Sequence, residues 1–344
     1  MLAPPPLPRT LEASFRDLSS TRPEARASSI EDLVRHAARD ADVRLRAIPL
    51  LERALTDEVA GVRSAAAVAL ADLKARDALP ALLVAIEDAD GHVRQMALNA
   101  LGEIGDARAA PRLLRALTDP RPEVRYQALI AYCRVAPDPP DAARALLGGL
   151  KDADESVQYI ALRIAEERGD NGLTTGLDAV ATAAEPLLVK AVPHLALAAA
   201  IFLAKRGIPA ARALIRKVAE GAFTAPAKED EREAVELAGV LDLREAIPAL
   251  ERRAFGLTRH VKDTCAYHAT IALARMGHAR ARAEILRDLD STRRATREGA
   301  VVAIGRARIE EARASLLRLG QGEVDPELLR RALADLGPAG SHSE

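Results

Sequence analysis

A phrase of about 31 residues recurs along this chain of 344 residues. Its clearest mark is an aspartate, four residues, then Val-Arg: Asp57 to Val62-Arg63, Asp88 to Val93-Arg94, Asp119 to Val124-Arg125, and Asp152 to Val157-Gln158. The Val-to-Val steps are 31, 31 and 33, and an alanine stands four residues after each valine, at Ala66, Ala97, Ala128 and Ala161. A fixed period of this size is the signature of a solenoid, in which each unit buries its apolar face only against its neighbours. Length alone suggests two or three globular domains, but a repeat array overrides that expectation. Such a fold is a surface first and a pocket only by exception.

Each unit reads as helix, short turn, helix. In the third, Asp88 to Gly91 is a polar turn, and Val93, Ala97 and Leu101 share one face of a helix over about 92–104. Gly105-Asp106 ends it, and a second helix starts near Ala110-Pro111 with an apolar stripe of Leu113, Leu114 and Leu117. Pro49, Pro80, Pro111 and Pro248 mark the start of the second helix in four units. Arg22 to Arg26 matches Arg121 to Arg125, so the array begins near residue 22. Leu273 to Ala281 aligns with Leu101 to Ala109, which places Cys265 at the valine position and carries the register on to Arg297 and Ala300. Val189-Lys190 is the candidate mark of a middle unit, and 220–231 reads as an inserted loop.

The expected fold class is therefore all-α, an α-α superhelix of about nine helix pairs. Residues 1–21 form an N-terminal arm and short helix, 22–320 the repeats with an irregular middle at 170–260, and 321–344 a capping helix and flexible tail. Composition agrees: Ala and Leu dominate, aromatics are 2% and there is no Trp, so small, unbranched helix formers prevail. Net charge is −1, from 49 basic and 50 acidic residues, which makes nucleic acid unlikely as the main partner. Two cysteines, Cys133 and Cys265, give no disulfide framework. No signal-like segment opens the chain and no apolar run reaches about 18 residues, so the expectation is a cytoplasmic protein with no membrane partner.

Asp88, Val93, Arg94, Ala97, Leu101, Gly102, Ile104, Gly105, Asp106, Ala109, Pro111, Leu113 and Leu114 together resemble the HEAT repeat, in the subtype described in phycobilin lyases. The likeness is specific over 57–165, good at 265–320 and loose over 170–260. It implies an α-α superhelix with second helices lining the concave side. It also implies that the aspartates and arginines (Asp57, Arg63, Asp88, Arg94, Asp119, Arg125 and Asp152) bond along the stack as a structural ladder, interrupted at Gln158. Each aspartate is equally readable as a simple helix cap. Most proteins carrying such repeats are scaffolds or adaptors.

No phosphate-binding loop, nucleophile elbow, C-x-x-C or H-E-x-x-H motif is present, so no catalytic residue and no cofactor is assigned. None of the seven histidines is followed by glutamate, unlike the di-iron enzymes built of similar repeats. His260, Cys265, His268 and His278 are the one local cluster of potential ligands, but Cys265 falls at a core position and no metal site is assigned.

One pattern carries a sharper expectation. Four residues past the proline position, about 400° around the helix, a side chain points away from the core. That position reads Arg53, Val84, Arg115, Gly148, then Arg252, Arg287 and Arg318, five arginines of seven. On the concave side this row suits planar, bidentate contact with carboxylates. The alternative is a solvated face, with Glu52, Glu87, Glu251 and Glu284 neutralising the row. The expected function is a non-enzymatic scaffold that binds another protein through this row, with an acidic partner segment favoured. A bilin lyase or isomerase-like subunit is the alternative, and a nucleic-acid-binding protein the third.

Overall fold

The computed structural model describes residues 9–136, 138–256, 265–320 and 322–337. Every regular element among them is helical, and they gather into two compact units dividing between residues 183 and 184. That division falls inside the stretch whose repeat pattern is weak.

Unit 1 opens with α1 (Leu11–Asp17) and continues in pairs: α2 (Pro23–Ala37) with α3 (Ala41–Ala54), α4 (Ala60–Asp72) with α5 (Leu79–Ala85), and α6 (Gly91–Ile104) with α7 (Ala110–Ala116). Then come α8 (Pro122–Val135) with α9 (Pro139–Gly149) and α10 (Glu155–Asp170) with α11 (Leu177–Ala184). The first helices α2, α4, α6, α8 and α10 pack one on the next, and second helices lie against them. Unit 2 holds the short α12 (Leu187–Lys190), then α13 (Pro193–Lys205) with α14 (Arg212–Ala219) and α15 (Lys228–Val240) with α16 (Ile247–Phe255). It ends with α17 (Ala266–Arg275) and α18 (Ala279–Leu289), α19 (Arg294–Ala307) and α20 (Arg313–Arg318), and α21 (Pro326–Leu336), which packs on α19. Each unit is thus a helical solenoid; among the described residues unit 1 holds five helix pairs and unit 2 four, nine in all.

Local chemistry sets these boundaries. The Asp90 side chain accepts from the N–H groups of His92 (2.8 Å) and Val93 (3.2 Å), satisfying donors that the first turn of α6 leaves free. Gly105 ends α6 in the left-handed region, φ 69°, its N–H returning to the Leu101 carbonyl. Lys74, Asp242 and Arg308 take the same backbone shape without glycine's freedom, at φ 46°, 48° and 53°. Pro80, Pro111 and Pro248 each stand in the first turn of a second helix, where no N–H is missed.

The core follows the repeat. Val62, Val93, Val124 and Val157 are buried, as are Ala66, Ala97, Ala128 and Ala161. Small residues let first helices approach very closely. A Cβ on Gly102 would lie 3.0 Å from the Ala131 Cα, and one on Gly239 would lie 2.7 Å from the Ala272 Cα.

Four details differ from the sequence reading. Pro49 lies inside α3 rather than at its start, because Asp40 caps that helix well upstream. Val189 is 89% exposed on α12, so Val189-Lys190 is not a core mark. The loop after α14 is shorter than 220–231, because Lys228 to Glu231 already form the first turn of α15. Finally, the apolar stripe of α7 is not wholly covered: Leu113 is buried, like Leu82 and Leu146, but Leu114 is exposed.

Gly102→Leu is expected to force α6 and α8 apart and to lower the stability of unit 1 by about 1–3 kcal/mol. Urea denaturation followed by circular dichroism measures this; an unchanged midpoint would show that the close approach contributes nothing.

Candidate binding face

The repeating aspartates and arginines meet across successive pairs. Arg63 Nε and Nη2 donate to both carboxylate oxygens of Asp88, at 2.7 and 2.8 Å. Arg94 forks onto Asp119 at 2.8 and 2.9 Å, and Arg125 onto Asp152 at 2.8 and 2.6 Å. Each guanidinium also turns back on its own unit: Nη1 of Arg63, Arg94 and Arg125 donates to the carbonyls of Asp57 (2.8 Å), Asp88 (2.9 Å) and Asp119 (2.9 Å). The aspartates do not cap the helices directly. Each accepts the N–H two residues on, from Val59, Asp90, Arg121 and Asp154, and so shapes the turn that precedes the helix.

The ladder has two ends. Arg26 begins it with a fork onto Asp57 at 2.7 and 2.8 Å. Gln158 keeps the bond to its own unit, donating to the Asp152 carbonyl at 2.6 Å, but has no second arm to pass on. In unit 2 the equivalent Arg297 donates to the carbonyls of Ser291 (2.7 Å) and Glu323 (2.9 Å), so a neutral acceptor replaces the carboxylate.

At Asp57, Asp88 and Asp152 these contacts lower the carboxylate pKa. Burial pushes Asp57 and Asp88 up, but the forked guanidinium and a backbone N–H outweigh it, and both stay below their usual value of 3.8. At Asp152 the Arg125 hydrogen bond is the largest influence and the result is again a lowering. A carboxylate with a lowered folded pKa adds stability that is full above its unfolded pKa and is lost as pH falls through the folded value. For this ladder the loss lies below about pH 4.

The arginine row lies on the outer face of the second helices, separately in each unit. Arg53 on α3 and Arg115 on α7 are exposed in unit 1, with Val84 (71% exposed) at the same register on α5. Arg252 on α16, Arg287 on α18 and Arg318 on α20 are exposed in unit 2. Arg318 donates to the Ser315 hydroxyl at 3.0 Å. Among the described residues no carboxylate lies within ion-pair distance of Arg53, Arg115, Arg252 or Arg287, whereas Glu87 is held by Arg112 and Glu251 by His278.

Other polar groups are committed elsewhere. A cleft of about 590 Å³ on the first-helix side of unit 2 is lined by acids and bases, several of which already pair. There Lys205 meets Glu233 at 2.6 Å, and Glu236 takes both His268 (2.5 Å) and Arg306 (2.9 Å). Among the described residues no group of three or more His, Cys, Asp or Glu converges as a metal site. Cys265 is buried, His268 and His278 face glutamates, and His260 lies outside the described residues. Burial also raises the Cys133 thiol to about 12, so it is an inert core group.

Residues 48–133 match the family model for HEAT repeats. That stretch of unit 1 is similar to HEAT repeats. Among solved structures, the Escherichia coli protein YibA has 17% identity and a TM-score of 0.58, covering 79% of this chain and 93% of its own. An engineered protein has 18% identity and a TM-score of 0.46, covering 96% and 100%. The complex of CpcE and CpcF of phycocyanin lyase from Nostoc sp. has 22% identity and a TM-score of 0.45, covering 75% and 98%. No match was found among curated proteins. The likeness to YibA bears on the fold alone.

In the HEAT frame, three side chains with a role escaped the sequence assignment. Arg26 was signalled by the match of Arg22–Arg26 to Arg121–Arg125, and Arg297 by its register after Cys265. Arg253, whose Nη2 donates to Glu231 at 2.6 Å and whose Nη1 donates to the Val218 carbonyl at 3.0 Å, had no repeat signal.

Arg63→Met leaves the mostly buried Asp88 carboxylate without its principal donor and is expected to cost roughly 1–3 kcal/mol at pH 7. The stability difference between pH 7 and pH 3 should shrink in the same variant. Urea titrations at both pH values test this; an unaltered pH difference would separate Asp88 from the acid response.

Proposed function

We propose that the chain is a protein-binding scaffold whose second-helix face receives an acidic segment of another protein. The observation that carries this reading is the set of exposed, unpaired guanidiniums at one register: Arg53 and Arg115 in unit 1, Arg252 and Arg287 in unit 2. In a chain of net charge −1 these groups stand out, because so many other arginines are engaged with acids or carbonyls. A guanidinium is planar, permanently charged and matched to both oxygens of a carboxylate. The resemblance that places second helices on a concave side adds that a bound segment would meet several such groups at once.

Single exposed ion pairs contribute only about 0.2–1 kcal/mol. The reading therefore requires several shared contacts and a clear dependence on salt. Among the described residues no helix is long and apolar enough to cross a membrane.

Capture with the full chain from its own host, followed by mass spectrometry, identifies candidates. Titration of the recovered protein against wild type and against Arg53→Glu/Arg115→Glu then decides. The expected result is binding at least tenfold weaker in the reversed chain (about 1.4 kcal/mol or more) and weaker in both chains at high salt. Equal affinity for both chains would reduce the row to a solvated surface.

A further inference from the structure

Unit 1 has a groove of about 750 Å³ between α7 and α9; Arg115 does not line it but follows the lining residue Leu114 on α7. Leu129 and Tyr132 of α8 form its floor, Leu114 and Leu117 one wall, and Ala145 and Gly148 the other. Leu114 is 50% exposed where its counterparts Leu83 and Leu147 are half-buried. The polar groups at the margin are occupied: Arg125 by Asp152 and the Asp119 carbonyl, Arg144 by Asp141, and the Thr118 hydroxyl by the Arg115 carbonyl. The groove therefore presents apolar area and little free hydrogen-bonding capacity.

Gly148 opens it. This residue holds the register position at which the neighbouring α7 carries Arg115. It lies within α9, and a Cβ there would meet nothing within 4 Å. The adjacent Gly149 is different: its Cβ would meet Leu129 Cδ2 at 2.8 Å and Ala161 Cβ at 3.0 Å, so internal packing requires it. Neither packing nor a left-handed backbone requires glycine at 148, and glycine is a poor helix residue. The use that remains for bare backbone at this rim is to admit a group from outside.

We propose that this groove seats one bulky apolar side chain of the acidic segment, with carboxylates beside that side chain reaching Arg115. This rests on the proposed function and specifies its partner. The occupant is set by the two chemistries side by side: an apolar recess of a size that accepts drug-sized groups, and an unpaired exposed guanidinium on the residue next to Leu114. A bulky residue flanked by Asp or Glu satisfies both; a wholly polar acidic run satisfies only the second.

The test uses the full chain and a displayed library of random 12-residue peptides. Enriched peptides are expected to carry one Leu, Met, Phe or Trp with Asp or Glu close by. Their binding should fall at least tenfold in Gly148→Leu, which fills the groove, and in Leu114→Ser, which strips its wall, with a smaller but measurable loss in Gly148→Ala, whose methyl group only narrows the rim. Thermal melting should show Gly148→Leu and Gly148→Ala no less stable than wild type, and Leu114→Ser, a change at an exposed residue, close to it. Acidic peptides that lose binding in Arg115→Glu but ignore both groove variants would overturn the anchor and leave the scaffold reading standing. Peptides sensitive to the groove variants but not to Arg115→Glu would keep the pocket and overturn the acidic reading. Failure to enrich any sequence overturns both.

Discussion

How near one first helix comes to the next governs everything else in each unit. The seam between them is lined with alanine, and at Gly102 and Gly239 even a methyl group would press on the neighbouring backbone, at 3.0 and 2.7 Å. That closeness brings the second helices near enough for Leu82, Leu113 and Leu146 to be sealed from water. A larger seam residue would wedge the pair open and wet those leucines. Because each pair packs chiefly on its neighbours, the damage would remain largely local.

A seam of small residues has little shape of its own and does not resist sliding. In unit 1 the forked arginines supply what it lacks. Each one holds a carbonyl of its own pair and both oxygens of the next pair's aspartate, so the bond is complete at one offset between pairs. Charge-assisted forks of this kind are short and directional. Unit 2 uses a weaker version, with Arg297 and Arg275 reaching backbone carbonyls. A carbonyl does not titrate, so that part of the stacking is indifferent to acid while the aspartate ladder is not.

The helix pairs were legible because the seam demands the same residue types at every turn of the array. Val, Ala and Leu at fixed steps are what a close, repeated contact looks like in one dimension. Outward-facing positions were legible too, since exposure at Arg53 or Arg287 follows from helix geometry. Where the reading went astray, it relied on one letter without its supporting set. Pro49 was taken as a helix start although Asp40 offered a better cap, and Val189-Lys190 lacked the aspartate that precedes the other marks. Which arginines are already paired was not legible, because partners such as Glu87 for Arg112 lie in a different helix pair, here in the turn after α5. The α7–α9 groove was hidden for the same reason: it depends on which way Leu114 turns and on empty space around Gly148.

Seam positions are constrained by packing, so recognition has to be written on the outward positions of the second helices. Several of these helices are short; α5 and α7 span seven residues each, which leaves about two outward turns on each. A helix of that length presents only part of a site, and affinity has to accumulate over successive pairs. Exposed guanidiniums do this cheaply but weakly, and salt screens them. An apolar recess is insensitive to salt and contributes in proportion to the area it covers. A face that alternates the two orients an incoming segment by charge and retains it by burial. On that division of labour, a glycine at one row position serves the proposed binding by opening the recess, although it supplies no guanidinium.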